Sequence, residues 1–332
     1  MRAVTCTKYG HPDVLKMIEV EKPIPKDDEV LIKIHASSIN SYDWRMMRGK
    51  PFMVRLAGLL KSRKNKILGC DAAGKIEAVG KSIRKFKVGD EIYGCLADNS
   101  GDSTYAEFVC AKENILASKP SEISFEQAAS VPMAAVTALQ GLRDSGNIKA
   151  GQKVLINGAS GGVGTFAVQI AKTYGAEVTG VCSKRNIEIV RSIGADYIID
   201  YTTENFTKNG KTYDLILDVT ANYTLSDYRH SLNPNGICVV AGFSKLSHTL
   251  KVGAFGKRTA KKDGKKIVLL LADNQKSDDL IFMNELLSTK KVVPVIDDVY
   301  SLHEVKEAFT YFENEHAQGK VVLRNLFLRK SD

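Results

Sequence analysis

The chain has 332 residues, with 47 Lys plus Arg against 38 Asp plus Glu, giving a formal net charge of +9. That length suggests about two domains and a core large enough to hold together without disulfides or a structural metal. With 44% hydrophobic and 26% charged residues, the composition excludes disorder, collagen and coiled coil as the main theme.

The positive balance raises nucleic acid, a membrane surface or an anionic cofactor as partners, beside the plainer reading of solvated basic loops. It is concentrated. Residues 61–66 (KSRKNK), 81–87 (KSIRKFK) and 257–266 (KRTAKKDGKK) carry +4, +4 and +5, which leaves the rest of the chain at −4. No run of about 18 apolar residues appears, so no transmembrane helix is expected. Met1–Thr5 reads as a strand rather than a secretory signal. Cys6, Cys70, Cys95, Cys110, Cys182 and Cys238 are scattered, without a CxxC pair or a Cys/His cluster at zinc-like spacing. A reduced, cytoplasmic protein is the expectation.

In chain order, the first 125 residues read as mostly β. Val30–His35 (VLIKIH) alternates as a half-buried strand does, and 76–80, 90–94 and 105–110 follow as short strands. This spacing suggests a small barrel or sandwich. Ser124 with Gln127 three residues on marks a helix start; helical spacing then runs through Leu139, broken by Pro132. From Gly151 strand and helix alternate: strands at 153–157, 177–182, 197–200, 213–219, 236–242 and 267–272, and helices at 163–174, 186–193 and 278–288. The alternation predicts an α/β fold with a parallel, doubly wound sheet. An amphipathic helix at 303–315 and a strand at 320–323 close the chain.

Between the strand at 153–157 and the helix that follows lies Ala159-Ser160-Gly161-Gly162-Val163-Gly164, a dinucleotide fingerprint with Ala in place of its first Gly. Gly161 lets backbone approach a pyrophosphate, Gly164 lets helix and strand pack closely, and the helix start offers free N–H groups to the anion. The strand–loop–helix–strand context makes the motif specific. The overlapping Gly158-x-Ser160-x-Gly162 fits a hydrolase elbow, but no HGGG-like oxyanion segment accompanies it. The NAD form of such folds carries an acid near the end of the second strand. Here that place reads Cys182-Ser183-Lys184-Arg185-Asn186. Ser183 can donate to a 2′-phosphate and Lys184 or Arg185 can pair with it, so NADP(H) is the expected cofactor.

With these residues in view, the chain resembles the zinc-free quinone oxidoreductases of the medium-chain dehydrogenase/reductase superfamily. The likeness runs from about Met1 to Leu323 and rests on Ser38-Ile39-Asn40-Ser41-Tyr42-Asp43, Gly69-Cys70-Asp71-Ala72-Ala73-Gly74, Val88-Gly89-Asp90 and Gly158–Gly164. Gly194-Ala195-Asp196 leading to Asp200-Tyr201, and His316-Ala317-Gln318-Gly319-Lys320, add to it. The resemblance implies a GroES-like β-rich catalytic domain over 1–125, completed by 292–332, and a Rossmann NADP(H)-binding domain over 126–291. It implies an enzyme, an NADPH-dependent reductase of quinones or other α,β-unsaturated carbonyls, with a small-molecule substrate. Where zinc-dependent relatives carry a ligand Cys and a Gly-His-Glu, this chain has Asn40 and Gly69-Cys70-Asp71, so no metal is expected.

By the same resemblance, Asn40 lies at the nicotinamide end as a donor to the developing oxyanion, and Tyr42 hydrogen-bonds it or relays a proton. Arg45 points toward substrate. Cofactor contacts are expected from Thr137, Ser160, Gly161, Gly162, Val163, Ser183, Lys184, Tyr201, Val219, Ala241, Gly242, Phe243, His316, Ala317 and Gln318. The apolar strand near Ile267 is a candidate edge for a homodimer. Alternative readings are an RNA- or membrane-surface-binding protein with a vestigial reductase fold, reached through the basic loops, and a zinc-type alcohol dehydrogenase. No RNP, KH or helix-turn-helix signature supports nucleic acid.

Overall fold

A computed structural model describes residues 1–50, 66–96, 104–241, 263–274, 277–314 and 317–325. Its strands, in chain order, are β1 (Arg2–Cys6), β2 (Leu15–Glu19), β3 (Glu29–Ile39), β4 (Asp71–Val79), β5 (Glu91–Cys95), β6 (Phe108–Lys112) and β7 (Leu116–Ser118). Then come β8 (Lys153–Asn157), β9 (Glu177–Cys182), β10 (Tyr197–Asp200), β11 (Tyr213–Asp218), β12 (Leu232–Val240), β13 (Lys266–Leu269), β14 (Ile296–Ser301) and β15 (Lys320–Arg324). The chain divides into two compact units. The first holds Met1–Met133, Asn274–Lys290 and Pro294–Asp332; the second holds Ala134–Asp273 and Lys291–Val293.

In the first unit β1 and β2 pair antiparallel, and a larger sheet runs β14-β15-β3-β4-β5-β7, with β6 paired to β3. The alternating VLIKIH segment lies inside β3, which continues to Ile39. Ala36–Ile39 are buried on both faces, so the period-2 signal vanishes there although the strand does not. The sequence Tyr105–Cys110, read as one strand, enters the sheet only at Phe108. Helix Ser41–Arg48, which the sequence reading did not mark, starts where the Asn40 backbone N–H donates to Asp43 Oδ2 at 2.8 Å. It stops at Gly49, whose φ of 64° suits a glycine at that C-cap. Its Met47 joins Val4, Ile39, Tyr105, Phe309 and Val321 in one core cluster.

The second unit is a six-stranded sheet in the order β10-β9-β8-β11-β12-β13, with every pairing parallel. This is the doubly wound order 3-2-1-4-5-6, whose direction reverses between β8 and β11. The predicted boundaries of β8, β9 and β10 coincide with the observed ones, whereas the strand expected at 267–272 runs from Lys266 to Leu269.

The expected domain boundaries at 126 and 291 differ from the two units. Helix Ser277–Ser288, read as the close of the nucleotide domain, belongs to the first unit. Tyr93 donates its phenol O–H to Leu280 O at 3.1 Å and to Asn284 Oδ1 at 2.7 Å, and Asn284 Nδ2 donates to Ser118 O at 3.0 Å. Helix Phe125–Ala129, capped reciprocally by Ser124 and Gln127 as predicted, also lies in the first unit. Lys291–Val293 stay with the second unit, where Gln169 brackets the Val293 backbone with bonds of 2.8 and 3.0 Å.

Candidate active-site residues

In the second unit, the carboxyl ends of β8, β11 and β12 are in register: Asn157 lies opposite Asp218, and Asp218 opposite Val240. Gly158, Val219 and Ala241 therefore leave the sheet along one edge, where ligands of such sheets bind. Gly158 adopts φ +86°, and a Cβ there would lie 2.7 Å from Val219 Cγ2. The tight-turn glycine of the fingerprint is thus Gly158, one residue before the position the motif match assigned, and Ala159 is a buried wall. A Cβ on Gly164 would lie 2.0 Å from Gly158 O, so helix and strand meet backbone to backbone. A Cβ on Gly161 would have nothing nearer than 3.6 Å. That open space faces the start of helix Gly162–Thr173, whose first N–H groups have no intrahelical acceptor. The cradle fits a pyrophosphate.

Ser160, at 9% exposure, accepts from Asn186 Nδ2 at 2.8 Å, which ties the glycine loop to the turn carrying Ser183 and Lys184. Lys184 and Arg185 are exposed, and Ser183 is half-buried. Tyr201, 53% exposed, follows β10. Sequence reasoning missed Asp200. It lies opposite Cys182 at the end of β10 and so brings a carboxylate beside the acid-free turn. Hydrogen bonds from the Thr202 backbone and hydroxyl, with Lys184 adding its N–H and charge, hold Asp200 below the usual carboxylate range. The Thr202 bonds measure 3.0 and 2.7 Å. The turn after β11 is fixed by buried Asp218, which accepts from Asn157 Nδ2, the Thr220 N–H and O–H, the Ala221 N–H and the Tyr228 phenol at 2.7–3.0 Å. Thr137 is half-buried. Gly242 and Phe243 lie outside the described residues, as do residues 61–65 and 257–262 of the basic segments. In the second basic segment Lys81, Arg84, Lys85 and Lys87 are exposed, while Ile83 and Phe86 turn inward.

The first unit collects the other expected residues around the end of β3. Tyr42 is 39% exposed on the first turn of its helix. Arg45, three residues on, shares that helix face, and burial lowers its guanidinium pKa. Asn40 differs from the expectation. Its Oδ1 accepts from the Lys320 ammonium, and its Nδ2 donates to Asp71 Oδ2 at 2.9 Å and lies 3.8 Å from Cys70 Sγ. Both ends of the carboxamide are engaged inside the protein, so in this arrangement Asn40 is not an oxyanion donor. Ala317 packs against the core cluster that holds Phe309 and Val321. Gln318 donates its backbone N–H to Asp297 at 2.9 Å. His316 lies outside the described residues.

Asn40 borders a buried polar cluster. Asp43 and Asp71 are both 0% exposed. Asp71 Oδ1 accepts from the Met133 N–H at 3.1 Å, and its Oδ2 from Ser38 at 3.1 Å as well as from Asn40. The Cys70 thiol donates to Asp43 Oδ1 at 3.1 Å. Burial pushes that thiol's pKa well up, and neighbouring Cys95, Asp43 and Asp71 push it further. The strand pairing of β4 with β5 sets Asp71 opposite Cys95, and the ligand atoms of Cys70, Asp71 and Cys95 all lie within 4.8 Å of one another. Neither Cys95 nor Lys320 was marked in the sequence as belonging here.

Residues 26–140 match the model of the alcohol dehydrogenase GroES-like domain, and residues 193–323 that of a zinc-binding dehydrogenase. A chloroplastic quinone-oxidoreductase homolog of Spinacia oleracea is 34% identical over 97% of this chain and 98% of its own. The chain belongs to the quinone oxidoreductase-like family of the medium-chain dehydrogenase/reductases. A 2-methylene-furan-3-one reductase of Solanum lycopersicum is 33% identical over 97% of this chain and 79% of its own. The solved quinone oxidoreductase of Coxiella burnetii superposes with a TM-score of 0.88 at 29% identity, covering 98% of this chain and 99% of that one. Membership makes the chain an oxidoreductase of the GroES-like plus Rossmann type, with a nicotinamide cofactor and a small-molecule substrate.

The zinc in one family name can be tested on the residues. Cys70, Asp71 and Cys95 are ligand types at close range. Yet both oxygens of Asp71 already accept hydrogen bonds, and the Lys320 ammonium lies 4.0 Å from Asp71 Oδ2. A dication would have to displace those donors and share the pocket with an ammonium. The arrangement does not fit a catalytic metal.

Proposed function

We propose that this chain is an NADPH-dependent, zinc-independent reductase that transfers hydride to quinones or other α,β-unsaturated carbonyls. The observation that carries the reading is the glycine cradle at the start of helix Gly162–Thr173, joined by the Ser160–Asn186 bond to a turn bearing Ser183, Lys184 and Arg185. When bound, the nicotinamide supplies the hydride equivalent. The chain's own residues bind and orient. The first N–H groups of the helix hold the pyrophosphate, and Gly161 lets it come close. Ser183 donates to the 2′-phosphate while Lys184 pairs with its charge. Asp200 brings a carboxylate of the kind that holds a free ribose hydroxyl, but Thr202 engages its Oδ1 twice and Lys184 adds an N–H and positive charge to it.

On the substrate side, the Tyr42 phenol donates to the acceptor's oxygen as negative charge develops there. Arg45 supplies fixed positive charge on the same helix face. A conjugated acceptor spreads that charge, so no metal is needed to polarise its carbonyl. The reduced product gains hydride at an electron-poor carbon and a proton at oxygen or at the α-carbon.

The test is NADPH oxidation across quinones, 2-alkenals and cyclic enones, with products identified to separate carbon–carbon from quinone reduction. Turnover of simple alcohols alone contradicts the proposal. Parallel titration with NADPH and NADH tests the cofactor, and equal or tighter NADH binding overturns that part.

A further inference from the structure

Lys320 opens β15, and its side chain runs into the polar cluster of the first unit. It is 3% exposed. Its ammonium donates to Asn40 Oδ1 and, at 3.2 Å, to Ile39 O, and it lies 4.0 Å from Asp71 Oδ2. The buried carboxylates Asp71 and Asp43 favour its charged form, and the thiols of Cys70 and Cys95 lie in the same cluster. Burial lowers Lys320 and raises Asp71, each toward neutrality. Their opposite charges act against that shift, as do the donors to Asp71 from Asn40, Ser38 and Met133. A donor-only ammonium on one side of Asn40 and a carboxylate on the other also leave its amide a single orientation.

Two buried carboxylates and two thiols within reach of one another are the donor set that draws a thiophilic dication. A buried ammonium beside them offsets the carboxylate charge through space, with Asp71 Oδ2 at 4.0 Å, while its hydrogen bonds to Asn40 Oδ1 and Ile39 O hold it there. We propose that Lys320 is the resident cation of this cluster, taking the place a metal ion would hold among Cys70, Asp71 and Cys95. The idea deepens the zinc-independent reading above and rests on it for its meaning, but its test needs no turnover, so the two can fail separately.

The full chain, freed of metal by a chelator, is titrated with Cd2+ while thiolate-to-cadmium absorbance is followed in the ultraviolet, and bound metal is counted after gel filtration. The wild type is expected to show no such band. In Lys320→Met, which keeps the stem and removes the charge, one Cd2+ per chain should bind at least about a hundredfold more tightly than in the wild type, since a like charge at this distance is worth that much. The band should vanish in Lys320→Met combined with Cys70→Ser. One tightly bound Cd2+ in the wild type, lost on Cys70→Ser, overturns the proposal. So does a folded Lys320→Met protein, with wild-type circular dichroism, that takes up no metal. If Lys320→Met does not fold, the wild-type titration still decides.

Discussion

Replacing Gly161 with alanine separates cofactor binding from folding. At φ −85° and ψ 176° an alanine is unstrained, and its Cβ would meet nothing nearer than 3.6 Å. Restricting the unfolded chain stabilises by about 0.4–1 kcal/mol, while losing glycine at a helix N-cap costs a similar amount. Net stability should stay within about 1 kcal/mol of wild type. The methyl group, however, fills the space through which the loop approaches the anion. Losing one charge-assisted hydrogen bond costs roughly 1.5–3 kcal/mol, or about a ten- to hundredfold weaker NADPH affinity. Gly164→Ala is the contrast. Its Cβ would lie 2.0 Å from Gly158 O and 2.8 Å from Ala159 backbone atoms, so the helix must move off the strand. Overpacking of that kind costs about 3 kcal/mol or more and should lower Tm by roughly 6–12 °C. Calorimetric cofactor titration and thermal unfolding of both variants check this. Wild-type affinity in Gly161→Ala, or equal destabilisation by the two substitutions, refutes the assignment of this loop.

Other expectations follow from the same geometry. Ser183→Asp with Lys184→Ala places a carboxylate beside the 2′ position and removes its counter-charge, so NADPH affinity should fall about tenfold or more and NADH should gain, read by titration with each. Tyr42→Phe leaves an exposed helix position folded and should lower kcat about ten- to hundredfold with little change in Tm; an unchanged kcat removes Tyr42 from the chemistry. Burial, together with Asp200 for Cys182 and Glu29 for Cys110, pushes these thiols to about 11. At pH 8 only about 0.1% of each is thiolate, so alkylation of the native protein should be slow and rise about tenfold per pH unit until near pH 11; rapid labelling at pH 8 contradicts this. β13 ends its sheet among the described residues, with Leu271 just beyond it 82% exposed. A homodimer paired along that edge should become monomeric in Leu271→Glu by light scattering, and a monomeric wild type removes the idea.

The nucleotide-binding unit was the more legible half of the sequence. Its strands are short apolar runs bounded by glycine or charge, and β8, β9 and β10 were readable to the residue because nothing distant alters their ends. What the sequence hid depends on neighbours across the sheet. Asp200 reaches the acid-free turn only because β10 lies beside β9. Cys95 meets Cys70 only through the antiparallel pairing of β4 and β5. Lys320 reads only as the first residue of a short closing strand, yet β15 pairs with β3, Val321 opposite Ile39, and carries it to Asn40, 280 residues away in sequence. No local periodicity encodes such a meeting. The same contacts change Asn40 from an expected donor to substrate into a side chain held inside the cluster. Gly158 was within reach of a closer reading, since a turn leaving a strand backbone to backbone with a helix requires a residue at positive φ.

The central claim is hydride transfer from NADPH to a conjugated acceptor without a metal. Its most direct test is steady-state NADPH oxidation by chelator-treated protein against a quinone and an enone, with bound zinc counted in the same sample. Turnover of at least one acceptor class, unchanged by chelation, is expected in protein carrying far less than one zinc per chain. Stoichiometric zinc whose removal abolishes activity, or turnover confined to simple alcohols, contradicts it.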